Sequence, residues 1–393
     1  MELLLPVISR EWVSAGTVQT VYAIFLLFFL YGYFLYPGIL VLLEKIGFPK
    51  RPIQTGGDLS SVCKSISYVI SVKNGQDVVS KRIGNLLAQD LEGIDTEIIL
   101  VSDGSTDRTV EVAEGAGAEN LRVIQVPVNR GKPYCLNLAL TEARGDVIVF
   151  ADVRQEFEPD AVRKLIANFS DPSVGAVSGQ LFPAESKVGS GKGMDLYWKI
   201  EKRIRSLESA FASCIGCTGA IYALRRELYV PIPDDTLLDD VVIPMKVLEK
   251  GGRVLYELGA HAYDSQKLEL SKESIRKART IAGNFQMLFR YPHWLFSLGT
   301  IHSWMFFSHK ISRLLAPFCL PVLLVLPLLN LMDPLMVGLG TVQAIIMVYA
   351  VFGLCCPAVK LPLLSKVSAF LFMNMMVYRG FYNYIRGAYK SGW

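Results

Sequence analysis

The sequence predicts an α/β domain with a mostly parallel sheet, set between helices that cross a membrane or lie on it. Two observations predict this class. Long uncharged apolar runs lie near both ends of the 393-residue chain, and 51% of its residues are hydrophobic, more than an ordinary soluble protein carries. Between those runs, charge and glycine content are ordinary, and short apolar strands alternate with amphipathic helices.

The first run extends without a charge from Trp12 to Leu43. That exceeds the roughly 20 residues that span a bilayer as a helix. A signal peptide would have a shorter apolar core and a small-residue cleavage site; this run is long and aromatic, and Glu44-Lys45 closes it. Lys45, Lys50 and Arg51 follow, and basic residues beside a membrane helix favour the cytoplasmic side. The central domain is therefore expected in the cytoplasm. Leu314 to Met332 and Pro334 to Val359 are also uncharged, and a weaker run, Val367 to Tyr378, ends at Arg379. One helix before the domain and three after it would leave the tail outside, whereas Arg379, Arg386 and Lys390 favour the inside. The expected segments are a membrane anchor over 1–55, the α/β domain over 56–270, amphipathic interfacial helices over 271–312, and membrane helices with a basic tail over 313–393.

In the central domain, Ile66 to Val72 is a β-branched strand and Val78 to Leu91 has helical spacing. Glu97 to Val101, Leu121 to Val126 and Val147 to Phe150 are further strands. Continuous apolar strands alternating with amphipathic helices indicate a parallel sheet covered on both faces. Such sheets bind ligands beyond the carboxyl ends of their strands. Three of these ends are polar: Lys73-Asn74-Gly75, Ser102-Asp103-Gly104-Ser105, and Asp152-Val153-Arg154. Each alone is weak, since Asp103-Gly104-Ser105 also suits a tight turn before a helix. Asn129-Arg130-Gly131-Lys132 offers a glycine, cations and a helix start, which suits an anion. It lacks the Lys-Ser/Thr pair of a nucleotide triphosphatase loop. Asp239-Asp240 opens a helical run; the pair suits either plain N-terminal capping or a coupled pair with one raised pKa, fit for a general base.

Other features carry less. A net charge of +4 gives no reason to expect nucleic acid. The seven cysteines fit a reducing compartment. Cys214 and Cys217 have the spacing of half a zinc site, but no second pair follows, so buried thiols are expected. His293, His302 and His309 lie in an aromatic stretch and are expected at the membrane interface. His261 follows a strand near the polar strand ends, which makes it a candidate donor or metal contact.

Taken together, Asn74, SDGSTD at 102–107, NRGK at 129–132, FADVRQ at 150–155, TGAIYALRR at 218–226 and LLDD at 237–240 resemble the integral-membrane family 2 glycosyltransferases. That group includes the bacterial poly-N-acetylglucosamine, cellulose and hyaluronan synthases. The resemblance covers residues 60 to 290 and implies a GT-A fold and inverting transfer of a sugar from a nucleotide-sugar donor, a UDP-sugar by expectation. It implies a saccharide or lipid-linked acceptor, and a site in the cell's inner membrane. On the donor side it places Asn74, Asp103, Gly104, Ser105 and Lys132, and Arg154 and Arg279 are candidate contacts to the donor diphosphate. On the acceptor side it places Thr218, Gly219, Ala220, Asp239 and Arg276. Asp152 would hold Mg²⁺ or Mn²⁺, and Asp240 would deprotonate the acceptor hydroxyl. The chain departs from the family at Arg154, which stands where a second metal-binding Asp is usual, and at Ser102 and Gly75-Gln76. A Gln-x-x-Arg-Trp motif is represented by Arg276-Lys277-Ala278-Arg279-Thr280; Thr280 cannot stack on a sugar as Trp does, so a short product is expected. Two rivals remain: a polyprenyl-phosphate or lipid glycosyltransferase, and a non-catalytic nucleotide-sugar-binding regulator of an export complex.

Overall fold

The computed structural model describes residues 15–51, 59–182, 191–264, 270–356, 358–359 and 361–389. The start of the first apolar run at Trp12, and Lys390 of the basic tail, lie outside the described residues. The strands are β1 Ser65–Val72, β2 Asp95–Asp103, β3 Leu121–Val126, β4 Val147–Ala151, β5 Gln155–Phe157, β6 Val174–Phe182, β7 Ile221–Arg225 and β8 Arg253–Asp264. The helices that matter here are α1 Gly16–Lys45, α2 Val79–Leu87, α3 Thr109–Glu114, α4 Lys132–Glu142, α5 Ala161–Ala167, α6 Gly191–Phe211, α7 Asp239–Glu249, α8 Leu270–Arg290, α9 Thr300–Leu329, α10 Pro334–Cys355 and α11 Leu364–Ile385.

The strands form one sheet in the order β3-β2-β1-β4-β7-β6-β8-β5. The first four strands of that order are mutually parallel. β7 runs antiparallel to both β4 and β6, and β5 antiparallel to β8. The period-2 alternation of strand side chains divides the core between the two faces. Tyr68, Ile70, Ile98, Leu100 and Val149 pack with α2 and α5 on one face. Val69, Ile99, Val101, Ile148 and Phe150 pack with α4, α6 and α7 on the other. Both faces are covered, which is why the strands read as continuous apolar runs. Across the β4–β7 junction Phe150 stacks on Tyr222, with ring centroids 4.3 Å apart.

Three helices are long and apolar enough to cross a membrane: α1, α9 and α10. α9 begins at Thr300, well before the uncharged run that starts at Leu314, because its charges are paired with the domain. His309 contacts Glu208 and Glu201 at 2.9 Å each, and Arg313 contacts Glu201 at 2.9 Å. His309 is therefore buried between two carboxylates of α6 and is not a membrane-interface residue. Tyr36 of α1 donates to Glu208 at 2.5 Å. α1 and α9 approach closely at Gly32, where an added Cβ would lie 2.9 Å from Ser312 Oγ; small residues allow such backbone approach in membranes.

α11 is not among the three spanning candidates. It packs on α8, where Gly380 faces Ala278 and Ile281, and Phe285 packs against Phe381 and Tyr384. α11 and its Arg379 therefore lie beside α8. A Cβ at Gly380 would fall 2.6 Å from Ile281 Cβ. Gly380→Val is therefore expected to destabilise the protein by about 1–3 kcal/mol through overpacking. Thermal unfolding in detergent measures this, and an unchanged midpoint would show that α11 does not depend on that contact.

Candidate active site

The carboxyl ends of β1, β2 and β4 meet at one edge of the sheet, and each ends in a loop fixed by side chains of its neighbours. Asp103 is fully buried at the end of β2. Its carboxylate accepts hydrogen bonds from Asn129 Nδ2 at 2.6 Å, Arg130 N at 2.7 Å and Gly131 N at 2.9 Å. A buried carboxylate needs such donors, so Asp103 folds the 129–131 segment onto the strand end. Gly104 has φ +63°, and a Cβ there would lie 2.6 Å from Asn129 N; only glycine allows this approach. Asn74, at φ 52°, accepts from Thr106 N at 2.8 Å and donates its own N–H to Ser105 Oγ at 3.1 Å. The side chains of Asn74, Asp103 and Ser105 thus hold the strand-end loops together.

Gly131, with φ +94°, turns the chain into α4 and aims Lys132 at the end of β4. Lys132 Nζ lies 3.0 Å from Asp152 Oδ1 and 3.2 Å from Asp239 Oδ2. The second contact is an ion pair without hydrogen-bond geometry, and Asp239 Oδ2 is buried with no hydrogen-bond partner. Burial opposes the Lys132 charge, but Asp152, Asp239 and Asp240 outweigh it and hold its pKa above the usual lysine value. Asp240 is the counterpart. Burial, then the charge of Asp239, push its carboxyl up to about 6, against the opposing pull of Lys132 and Lys310. A carboxylate in that range is matched to take a proton near neutral pH.

The 214–220 loop closes over this carboxylate. Cys217 N donates to the Asp240 carbonyl at 2.8 Å, and a Cβ at Gly219 would lie 3.1 Å from Asp240 Oδ2. The missing side chain leaves open space beside the carboxylate. Ala220 is buried beneath the loop. Arg205 of α6 fixes the loop, donating to Thr218 Oγ1 at 2.9 Å and Ser178 Oγ at 2.8 Å while lying over the Tyr256 ring. Cys214 and Cys217 are buried free thiols.

The structure brings Lys132, Asp152, Gly219, Asp239 and Asp240 together. It draws Arg154 aside: its guanidinium pairs with Asp264 of β8 at 3.3 Å, a carboxylate that also accepts from Gln155 at 2.9 Å. His261 is bound to Glu158 at 3.0 Å and to the Leu258 carbonyl at 2.8 Å. Arg276 is exposed and Arg279 half-buried on α8. Arg279 lies one turn before Gly283, which packs on Leu238. Sequence reasoning missed Arg205, Lys310 and Arg82. The Arg82 guanidinium is buried, with Nε and Nη2 lacking partners. Burial lowers its pKa, and Asp152 is the first charge to oppose that, so Arg82 is a buried cation near the end of β4. The signal for Arg205 was available in the spacing of Glu201, Arg205 and Glu208, which share one face of a helix. Among the described residues no group of three or more His, Cys, Asp or Glu could hold a metal ion. Asp152, only partly exposed at the strand end, still fits a hard cation that takes its other ligands from phosphate and water.

Residues 67–230 match the model for Glycosyl transferase family 2. Similar proteins include a poly-beta-1,6-N-acetyl-D-glucosamine synthase of Staphylococcus aureus, 26% identical over 213 residues, covering 49% of this chain and 48% of the relative. An N-acetylglucosaminyltransferase of Rhizobium leguminosarum bv. viciae is 28% identical over 176 residues, covering 43% of this chain and 41% of the relative. The chain thus spans about half the length of the curated relatives it matches. Among solved structures, the mannosyltransferase PcManGT from Pyrobaculum calidifontis, in complex with GDP-Man and Mn²⁺, superposes with a TM-score of 0.71. That likeness covers 94% of this chain and 99% of the other at 17% identity, and it is one of fold. With its mixed, mostly parallel sheet and its polar strand ends, the central unit has a GT-A fold and carries the match to Glycosyl transferase family 2 over residues 67–230.

Proposed function

We propose that the chain is an inverting glycosyltransferase that moves a sugar from a UDP-sugar to a saccharide or lipid-linked acceptor, at the cytoplasmic face of the inner membrane, in exopolysaccharide or cell-envelope glycan synthesis. The observation that carries this is the pairing of Lys132 with Asp152 and Asp239 beside an Asp240 whose pKa is near 6. The names of the two relatives support a glycan product and an N-acetylhexosaminyl donor.

In the proposed reaction Asp240 accepts the proton of the acceptor hydroxyl as its oxygen attacks the anomeric carbon. The bond from that carbon to the diphosphate breaks, and the nucleoside diphosphate leaves with the electron pair. Attack opposite the leaving group inverts the anomeric centre. Lys132 places a cation where the diphosphate charge grows. Mg²⁺ or Mn²⁺, held by Asp152, would add Lewis-acid neutralisation of the same charge. Arg279 reaches the diphosphate from α8, with Arg276 beside it on the acceptor side. Arg154, held by Asp264, adds positive potential to the strand end. Asn74, Asp103, Gly104 and Ser105 shape the nucleoside side of the cleft through the loops they fix. Gly219 leaves the opening through which the acceptor reaches Asp240. A lipid-phosphate acceptor is a second reading, favoured by Lys310, a cation on α9 whose charge acts on Asp240.

Asp240→Asn is expected to keep donor binding but lower turnover at least about 10²-fold, the scale for losing a general base. Undiminished turnover would remove Asp240 from the chemistry. In the unsubstituted protein the base must be ionised, and its pKa is raised to about 6. The kcat profile is therefore expected to be flat above that pH and to fall as pH drops through it; a rate independent of pH between 5 and 8 would contradict the assignment.

For the cation, Asp152→Ala is expected to abolish the Mn²⁺-dependent part of donor binding in calorimetry, while Arg154→Ala keeps a metal requirement. Full transfer in EDTA would show instead that Lys132 and its neighbouring cations suffice.

A further inference from the structure

α7, which carries both aspartates in its first turn, has no side-chain cap at its N-terminus. The first turn of a helix is usually fixed by such a cap. Its direction here depends on the residues just before it, and those are held from outside the domain. Gln286 of α8 accepts from Leu237 N at 2.9 Å and donates to the Asp235 carbonyl at 2.8 Å. Arg290, one turn further along α8, forms a two-pronged pair with the Asp235 carboxylate at 2.8 and 2.6 Å. Gly283, one turn before Gln286, lies so close to Leu238 that an added Cβ would fall 2.5 Å from Leu238 Cγ. Gly283, Gln286 and Arg290 lie at i, i+3 and i+7, one face of a helix. That face grips residues 235–238. The opposite side of α8 is seated on α11 and, through Phe285 and Phe318, on α9.

We propose that Gln286, supported by Arg290 and Gly283, is a positioning residue for the general base, so that Asp240 is correctly aimed only when α8 is docked at the membrane surface. This inference rests on the reading of Asp240 as the base. It makes α8 more than an anchor: the interfacial helix supplies the fixed end of the segment that carries the catalytic carboxylate. The contact requires Gln at this position for a chemical reason. One side-chain amide satisfies a backbone N–H and a backbone carbonyl two residues apart, which no aliphatic or singly functional side chain of that length can do. A cavity of about 400 Å³ lined by Asp235, Leu237, Gln286, Arg290 and Tyr384 lies against the grip and gives the segment room to shift when the grip is lost.

The test compares Gln286→Leu with Asn284→Ala, a control on the same helix whose amide bonds only to its own backbone. Gln286→Leu removes both hydrogen bonds at nearly constant volume. Its kcat is expected to fall about tenfold or more, since small misplacements of a reacting group are costly. Donor KM is expected to stay within about twofold, because loss confined to the transition state leaves ground-state binding intact. The acidic limb of kcat should also move to lower pH, because a loosened Asp240 loses part of the burial that raises its pKa. Asn284→Ala should match the unsubstituted protein in all three. Arg290→Lys, which keeps the charge but loses the fork, should shift kcat and the limb in the same direction, and it serves if Gln286→Leu fails to bind donor. A lower unfolding temperature with unchanged kcat and an unmoved limb would overturn the proposal and leave Gln286 a structural contact. If Asp240→Asn keeps full turnover, the site assignment itself falls, and the positioning role with it; a dead Asp240→Asn beside a fully active Gln286→Leu would overturn the positioning role alone.

Discussion

One ammonium group, Lys132 Nζ, holds the centre of the molecule together. It joins the end of β4, through Asp152, to the start of α7, through Asp239. Three carboxylates within reach of each other would repel strongly in a buried cleft, and the pair Asp239-Asp240 is adjacent in the chain. The cation makes that arrangement tolerable, because buried charge persists only where it is paired. It also divides the carboxylates by role. Asp152 and Asp239 take the direct contacts, and Asp240 is left with the raised pKa. Removing the lysine would leave uncompensated charge at three positions, so the loops, the sheet edge and Asp240 all depend on where α4 begins.

Much of this was legible in the sequence, and the reasons are local. β1, β2 and β4 announce themselves because strands buried on both faces are largely apolar. Asp103, Lys132, Asp152 and the Asp239-Asp240 pair stand out because each follows such a strand or opens a helix. What was not legible depends on partners distant in the chain. β7 joins the sheet antiparallel between β4 and β6, and nothing in Ile221–Arg225 states that direction. Arg154 looks free for a ligand until Asp264 arrives from β8, 110 residues later. Gln286 reads as an ordinary polar position on an amphipathic helix, since its partners are backbone atoms 49 and 51 residues away. His309 lies in an aromatic stretch that reads as membrane interface, because the acids that neutralise it and Arg313 are more than a hundred residues earlier.

Those same acids link the domain to the long apolar helices. Glu201 and Glu208 sit on α6, between the domain core and the apolar helices. Burial opposes ionisation of Glu201, but His309 and Arg313 hold its carboxyl well below the usual range. With Tyr36 bound to the same Glu208, one buried cluster ties α1, α6 and α9 together. Arg205 lies between these two acids on the same helix and fixes the loop over Asp240. The chain of contacts from the apolar helices to the loop over Asp240 therefore runs through a single face of α6, and α8 provides a second, independent route.

The placement of charges along α9 bears on how the protein is made. A segment carrying Lys310 and Arg313 is poorly suited to enter a bilayer alone, since each Lys or Arg costs about 2.5–3.5 kcal/mol at mid-membrane. Its acidic partners belong to α6, which leaves the ribosome about a hundred residues sooner. Synthesis from the N-terminus thus makes the acidic partners before the basic helix emerges. The order of the charges along the chain therefore supplies the neutralising carboxylates ahead of the segment that needs them.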